Sequence, residues 1–207
     1  MSTRLSRVES HAATRSKLIE SATVLYLREG YNSTSNVKVA EAAGYSRGAV
    51  YSNFRSKEEL ALAVLDKFLA SELETLAQAV GRDTLDERFA AFEDWMVQAS
   101  RERGWAVLKS ELIVASHNNP QLREELAARD EVVRESLSQM LAELFGEAGL
   151  ALLPLERQTL VRLLMSIAKG VAMDSIISPD PTKSPDWLSE ITALVRSLAA
   201  MIDLSEA

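Results

Sequence analysis

Apolar residues recur every three or four positions along almost the whole chain, the spacing that places them on one face of an α-helix. The first stripe predicts a helix that stops at Gly30 and carries Leu18, Ile19, Ala22, Leu25 and Tyr26 on one face. The same period predicts nine helices and no strand: about 13–29, two within 35–54, after Ser56 to about 80, 85–103, 105–116, 121–144, 155–177 and 187–202. We therefore expect an all-α fold.

Within the second and third helices, the polar and small residues predict a specific motif. Gly44 follows a helix-forming run, where a left-handed C-terminal cap costs least. Ser46 supplies an N-cap oxygen, and Val50 and Phe54 give the next helix one apolar face. This spacing predicts a helix-turn-helix at about 35–54, whose second helix enters the major groove of DNA.

Charge is distributed unevenly along the 207 residues. Residues 1–57 hold nine Lys and Arg against four Glu, the rest holds 14 against 26 acidic residues, and the whole chain carries −7. Arg4 and Arg7, in an N-terminal arm that we expect to be disordered, raise the first figure, but the balance stays positive without them. A basic head on an acidic body favours nucleic-acid binding by the head.

Several motifs in the N-terminal third resemble the DNA-binding domain of the tetracycline-repressor (TetR) family. They are Arg15–Ala22, Gly30-Tyr31, Thr34-Ser35, Ala40–Gly48, Tyr51, Phe54 and Lys57–Leu60. The resemblance implies a DNA-binding domain at 12–72, preceded by the disordered arm at 1–11 and followed by a ligand-binding and dimerisation domain at 73–207. Asn36 stands where the family usually has an apolar residue, which leaves open a shifted helix start or an extra polar contact.

The candidate DNA contacts surround the second helix of the motif. Arg47 can donate two hydrogen bonds to guanine, Gly48 permits a close approach, and Ala49 suits a thymine methyl. The resemblance implies phosphate contacts by Thr34, Ser35, Tyr51, Asn53 and Lys57. The full predicted set is Thr34, Ser35, Val37, Lys38, Tyr45, Ser46, Arg47, Gly48, Ala49, Tyr51, Asn53 and Lys57. Packing of Tyr51 beside Phe54 and a merely solvated Arg47 are the alternatives.

The last two predicted helices have apolar seams suited to lengthwise pairing. The seams contain Leu160, Leu164, Ile167 and Val171 in the eighth helix, and Leu188, Ile191, Val195, Leu198 and Ile202 in the ninth. The resemblance implies a homodimer through a four-helix bundle made of these two helices from each subunit. The alternative is that the same faces close the core of one chain.

Aromatic and methionine side chains of the C-terminal body are candidates for lining an adaptable hydrophobic pocket. The predicted ligand-binding set is Phe92, Trp95, Met96, Trp105, Leu108, Glu111, Leu112, Met165, Lys169 and Met173, with Glu111 and Lys169 as orienting polar groups. The alternative is that the large apolar members of this set are ordinary core residues.

Neither catalysis nor a cofactor is predicted. The chain has no cysteine, His11 and His117 lack partners for a triad or metal site, and no glycine-rich phosphate loop is present. No long uncharged apolar stretch or signal peptide is apparent, so a cytoplasmic location is expected. The prediction is a homodimeric repressor released from a palindromic operator by a small hydrophobic effector. The alternative is a helical ligand-binding or protein-interaction module that no longer discriminates DNA.

Overall fold

The computed structural model describes residues 7–84, 86–88, 90–91, 94–95, 98, 103–152, 155–177, 193 and 197. Its helices are α1 (Arg7–Glu29), α2 (Asn36–Ala43), α3 (Arg47–Asn53), α4 (Lys57–Val80), α5 (Arg103–Ser116), α6 (Pro120–Leu152) and α7 (Arg157–Ile177). Every regular element in these ranges is helical, so the all-α prediction is confirmed. Of the helix predicted at 187–202, only residues 193 and 197 are described, and both are helical.

The first three helices pack against one another around a small apolar core. α1 contributes Leu18 and Tyr26, α2 contributes Val39, and α3 contributes Val50 with Phe54 directly after it; none of them is more than 1% exposed. Burying one large apolar side chain contributes about 1.5–3 kcal/mol. This core therefore determines where α3 lies relative to α1 and α2.

The chain divides into two compact units. The head unit contains residues 1–69 and 107–123, and the second unit contains residues 70–106 and 124–207. Residues 107–116, most of α5, thus belong to the head unit, where Lys109 Nζ lies 4.4 Å from the ring centre of Phe68. The predicted boundary at residue 72 does not include this returning segment, because a division by sequence position cannot show that a later helix packs back on the head.

Two helices extend beyond their predicted limits. α1 begins at Arg7, so residues 7–11 are helical and not part of a disordered arm. Polar residues can extend an exposed helix, and Glu9 in the first turn complements the helix dipole. α6 continues to Leu152 and is interrupted at Gly146, whose φ of 64° is non-helical and favours glycine.

In the second unit, α7 carries apolar side chains that are not covered. Val161 is fully buried, but Leu163, Met173 and Ile177 are exposed, Ile177 to 79%. Lys169 of α7 donates a hydrogen bond to Asp130 of α6 at 2.6 Å. Among the described residues, no helix is both long and apolar enough to cross a membrane.

Candidate nucleic-acid interface

The turn between α2 and α3 is built from two helix caps. Gly44 has the left-handed angles φ 75° and ψ 25°, and its N–H donates to the carbonyl of Glu41 at 3.1 Å. The next N–H, of Tyr45, donates to the carbonyl of Ala40 at 2.9 Å, which completes a Schellman-type C-cap. Ser46 Oγ then accepts a hydrogen bond at 3.3 Å from a backbone N–H in the first turn of α3. These caps agree with the helix-turn-helix predicted from the sequence.

α3 buries its apolar side and displays its polar side. Tyr45 and Tyr51 are 38% and 48% exposed, and Arg47 and Gly48 are exposed as well. The guanidinium carbon of Arg47 lies 5.4 Å from the centre of the Tyr51 ring, so the two side chains form one cationic and aromatic surface. A Cβ placed at Gly48 would have its nearest neighbour at 3.7 Å. The packing of the head therefore does not itself require a glycine at that position.

The start of α2 is exposed beside this surface. Ser35 Oγ accepts a hydrogen bond from the N–H of Lys38 at 3.2 Å and caps the helix, and Val37 is exposed. Lys38 Nζ pairs with Glu29 at the end of α1, and hydrogen bonds from Lys38 and Arg28 lower the pKa of the Glu29 carboxyl. An exposed ion pair of this kind stabilises little, so Lys38 can exchange it for another anion at small cost.

Two predicted phosphate contacts are engaged inside the protein. Thr34 is 1% exposed, and its Oγ1 donates to the carbonyl of Gly30 at 2.9 Å, so this hydroxyl cannot reach a phosphate in this conformation. Asn53 uses Nδ2 to donate to the carbonyl of Ala49 at 2.8 Å, and its Oδ1 is a buried acceptor without a partner. The resemblance implied phosphate contacts by Thr34 and Asn53 from their positions in the sequence alone. Packing of the head determines which of their polar atoms remain accessible.

Lys57, another predicted phosphate contact, lies against the turn between α1 and α2. Its Nζ donates to the carbonyl of Asn32 at 3.3 Å and lies 4.2 Å from the ring centre of Tyr31. Burial lowers the pKa of Lys57, and the carboxylates of Glu58 and Glu111 act in the opposite direction. The ammonium group is therefore partly committed to the protein, although it remains at the N-terminal end of α4.

The same turn is bound from its other side by a carboxylate of α5. Glu111 Oε2 accepts a hydrogen bond from the N–H of Tyr31 at 2.5 Å, and Oε1 accepts from Asn32 Nδ2 at 3.0 Å. Leu108 and Leu112 of the same helix are fully buried. The sequence predicted these three α5 residues as ligand-binding residues, but all three belong to the head unit. The structure pairs Glu111 with partners about 80 positions earlier in the chain, and its role as an orienting group for a ligand stays a prediction.

Arg15 is a functional candidate that the predicted site set lacks. Its Nη1 donates to the backbone carbonyl of Asn53 at 3.3 Å, and its guanidinium carbon lies 4.2 Å from the ring centre of Phe54. A cation is favourable at the C-terminal end of a helix, so Arg15 stabilises the end of α3 from α1. Its role depends on the packing of these two helices, and no local sequence signal indicates it.

Asn36 is the first residue of α2 and is only 8% exposed. Its Oδ1 is buried and has no hydrogen-bond partner. The expectation that Asn36 shifts the start of α2 or offers a polar contact is therefore not met, because the side chain points into the protein. An unpaired buried polar group costs free energy, so we expect this asparagine to destabilise the head.

The remaining ligand-binding candidates belong to the second unit. Trp95 is half-buried and its Nε1 donates to Glu72 Oε2 at 2.9 Å, while Trp105 and Met165 are also half-buried. Lys169 is paired with Asp130, and Met173 is 55% exposed. Phe92 and Met96 lie outside the described residues.

A cavity of about 300 Å³ in the second unit has a different lining from the predicted hydrophobic pocket. It is formed by Glu131, Arg134, Glu135, Ser138, Gln158, Val161 and Arg162, most of them charged or polar. In the described part of the chain, no three His, Asp or Glu side chains are grouped so that they could hold a metal ion.

The candidate dimer seam is only partly described. Leu160, Leu164 and Ile167 of α7 are half-buried in the single chain. The side chain of Val171 and all five seam residues of the last predicted helix, Leu188, Ile191, Val195, Leu198 and Ile202, lie outside the described residues. α7 therefore carries partly uncovered apolar positions, as a helix that pairs with another element would.

Comparison with known families gives a match over the helix-turn-helix. The family described as bacterial regulatory proteins, tetR family, matches residues 18–64, which run from the middle of α1 into α4. The matched segment contains the turn at Gly44 and all of α3. It does not contain Glu111 or the other residues of α5.

Relatives and solved structures extend the similarity beyond the head. The chain is 25% identical over 129 residues to the uncharacterized HTH-type transcriptional regulator YfiR of Bacillus subtilis (strain 168), covering 61% of this chain and 63% of that one. It is 24% identical over 185 residues to the HTH-type transcriptional repressor AcnR of Corynebacterium efficiens, covering 88% and 90%. A TetR transcription regulator from Haloarcula marismortui has the same fold, with a TM-score of 0.69 at 16% identity over 92% of this chain and 98% of that one.

The alignments with YfiR and with two regulators of Pseudomonas putida span 63%, 37% and 28% of those relatives, less than two thirds in each case. The capped helix-turn-helix, the family match and the shared fold nevertheless agree with one another. Residues 18–64 are similar to the matching segment of the tetR family of bacterial regulatory proteins, and the chain shares the fold of a TetR transcription regulator.

Proposed function

We propose that this protein is a cytoplasmic transcriptional repressor that binds a near-palindromic DNA operator as a homodimer and is released from it by a small hydrophobic effector. The observation that carries the proposal is the displayed side of α3, where Arg47 and Tyr51 are exposed around a glycine that the head does not need for its own packing. AcnR, a relative aligned over 90% of its own length, is described as a repressor.

The residues of this surface divide into those that read bases and those that contact phosphates in the proposed complex. Arg47 reads a guanine edge, because a guanidinium can donate to O6 and N7 together. Gly48 lets the backbone of α3 approach the groove. Tyr45, Tyr51 and Lys38 contact phosphates, which position the helix but do not specify sequence. Lys57 joins them by exchanging its bond to the Asn32 carbonyl for a phosphate oxygen.

A homodimer is proposed because one recognition helix reads too little DNA. α3 has seven residues, so its contacts span only a few base pairs, and a two-fold dimer doubles the site. The half-buried Leu160, Leu164 and Ile167 of α7 provide part of the interface, with the last predicted helix as the other part.

The effector response is proposed to act through α4. This helix carries Lys57 at its start and Glu72, the hydrogen-bond partner of Trp95, in its second half. A hydrophobic molecule that binds beside Trp95 would favour one position of α4 over another. The required difference in affinity between the two conformations is on the order of 1–3 kcal/mol.

Titration with selected DNA duplexes tests whether α3 is the helix that recognises the base sequence. Duplexes are selected from a random pool with the full-length protein, and affinity is measured by fluorescence anisotropy at several salt concentrations. Arg47→Ala is expected to cost about 1–3 kcal/mol and to relax the preference at one base pair per half-site. Lys57→Ala is expected to weaken binding to all duplexes alike and to reduce the salt slope by about one unit.

Lys67→Ala is the matched control, because Lys67 is an exposed lysine further along α4. It should leave both affinity and salt slope close to those of the parent. If Arg47→Ala and Lys57→Ala also bound every duplex as the parent does, α3 would not be the reading element.

A second experiment tests the effector. Small apolar compounds are screened for quenching of tryptophan fluorescence, and each one that quenches is added to the protein–DNA complex. The proposal expects such a compound to lower DNA affinity, and Trp95→Ala to lose this response while it still binds DNA. A compound that binds without changing DNA affinity would count against the effector response.

A further inference from the structure

The turn formed by Gly30, Tyr31 and Asn32 donates three hydrogen bonds to one distant residue, Glu111. Glu111 accepts from the N–H of Tyr31 at 2.5 Å, from Asn32 Nδ2 at 3.0 Å and from the N–H of Asn32 at 3.4 Å. Both carboxylate oxygens are used, and hydrogen bonds to a charged acceptor are stronger than those between neutral groups. A Cβ at Gly30, which has φ 87°, would lie 3.1 Å from Glu111 Oε2. The backbone and the carboxylate therefore fit closely.

Residues at the start of α4 hold the same turn from a second direction. Lys57 donates to the carbonyl of Asn32 at 3.3 Å and stacks on the ring of Tyr31, while Tyr31 OH donates to Glu58 Oε1 at 3.0 Å. A shift of the turn would therefore move the acceptor and the ring that hold the Lys57 ammonium.

The turn also determines where α2 begins. The N–H of Thr34 donates to the carbonyl of Tyr31 at 3.2 Å, and its buried hydroxyl donates to the carbonyl of Gly30 at 2.9 Å. Ser35, the N-cap of α2, follows directly. One carboxylate from α5 thus contacts the backbone segment that precedes the helix-turn-helix and that supports Lys57.

We propose that Glu111 is a positioning residue for DNA binding: its carboxylate fixes the turn at Tyr31 and Asn32, and through it the start of α2 and the location of Lys57. This inference rests on the proposed function and adds to it a residue outside the family match and outside the helix-turn-helix.

Glu111→Gln is the sharpest variant, because it preserves the size of the side chain. Its amide keeps one acceptor oxygen but turns an NH2 group toward backbone or side-chain donors of the turn. Two donors then face each other, and a buried or half-buried donor without an acceptor is costly. The expected result is a head that remains folded around its apolar core but has a loosened turn.

The experiment measures two quantities on the full-length protein. Affinity is determined for a duplex selected by the parent, and amide hydrogen exchange is measured for Tyr31, Asn32 and, as a reference for folding of the head, α1. Glu111→Gln is expected to weaken DNA binding about ten-fold and to accelerate exchange at Tyr31 and Asn32. Glu124→Gln, which removes an exposed carboxylate of α6, is the charge-matched control and should change neither quantity.

A double-mutant cycle separates positioning from general destabilisation. If Glu111 acts through Lys57, the loss of affinity caused by Glu111→Gln becomes smaller when Lys57 is already alanine. Asn32→Ala, which removes one donor from the other side of the contact, should weaken DNA binding in the same direction but less. If Glu111→Gln does not fold, the affinity of Asn32→Ala for DNA is the measurement that tests the proposal.

The possible failures are distinguishable. A parent that selects duplexes, together with a Glu111→Gln variant equal to Glu124→Gln in affinity and exchange, would overturn the positioning role and leave the proposed function standing. Equal losses from Glu111→Gln in both Lys57 backgrounds would overturn the part of the proposal in which Glu111 acts through Lys57. A parent that selects no duplex would overturn the proposed function, and with it the role of Glu111 in DNA binding.

Discussion

The head and α7 bury their apolar residues in different ways. In the head, Leu18, Tyr26, Val50 and Phe54 are at most 1% exposed, and α1, α2 and α3 close this core within one chain. On α7, Val161 is equally buried, but Leu163, Met173 and Ile177 lie on the surface. The head therefore completes its own core, whereas α7 keeps apolar surface available for a second element.

This difference suits the two proposed tasks. A recognition helix must be held rigidly, because a displacement of a few ångströms breaks the register with successive grooves spaced about 34 Å apart. A helix that pairs with another subunit must keep apolar side chains accessible until the partner arrives. The following predictions test this comparison, beginning with the largest expected effect.

Leu18→Ala should destabilise the head by about 2–5 kcal/mol, because it leaves a cavity in a closed core. Leu163→Ala removes a similar side chain from a site on α7 that is exposed in the single chain, and should change the stability of the monomer by no more than about 0.5 kcal/mol. Amide hydrogen exchange in α1 and α7 measures the two effects separately, which a single unfolding curve of a two-unit chain would not. Equal effects would remove the distinction between the two regions.

Leu164→Glu combined with Leu198→Glu should dissociate the proposed dimer. Burying two carboxylates in an apolar seam costs more than about 2 kcal/mol, so light scattering should show monomers or aggregates. Val132→Glu is the control, because Val132 is exposed on α6, and it should keep the parent mass. A double variant that remains a stable dimer would place the interface elsewhere.

Arg15→Gln should loosen the C-terminal end of α3 and weaken DNA binding by about 1 kcal/mol, because it removes a cation stacked on Phe54 and bonded to the Asn53 carbonyl. Faster amide exchange at Phe54, together with an unchanged salt slope, would identify a positioning role. Lys17→Gln, an exposed position on the same helix, should change neither. A salt slope reduced by about one unit would instead make Arg15 a phosphate contact.

Asn36→Val should stabilise the head by about 1 kcal/mol, because it replaces an unpaired buried amide with an apolar group of similar size. The measurement is thermal unfolding, and the control is Asn118→Val at an exposed site, where little change is expected. Loss of stability in Asn36→Val would mean that the amide has a partner, such as an ordered water molecule.

The recognition motif was predictable because its signals are local. The caps at Ser35, Gly44 and Ser46 and the apolar pair Val50 and Phe54 act between residues at most five positions apart, so their spacing in the sequence already specifies the turn and both helices. The TetR resemblance depended on the same short-range pattern. For these reasons the all-α fold, the helix-turn-helix and the resemblance to the TetR family could be recognised without coordinates.

The features of the candidate site that the sequence did not predict depend on contacts between residues far apart in the chain. Burial of Thr34, the stacking of Lys57 on Tyr31 and the bond between Arg15 and Asn53 depend on how helices pack, and Glu111 meets its partners across about 80 residues. A periodic pattern shows that one face of a helix is apolar, but it does not show which neighbour covers that face. The sequence by itself therefore determined the helices and the reading motif, and only the tertiary structure determined which polar groups remain free to contact DNA.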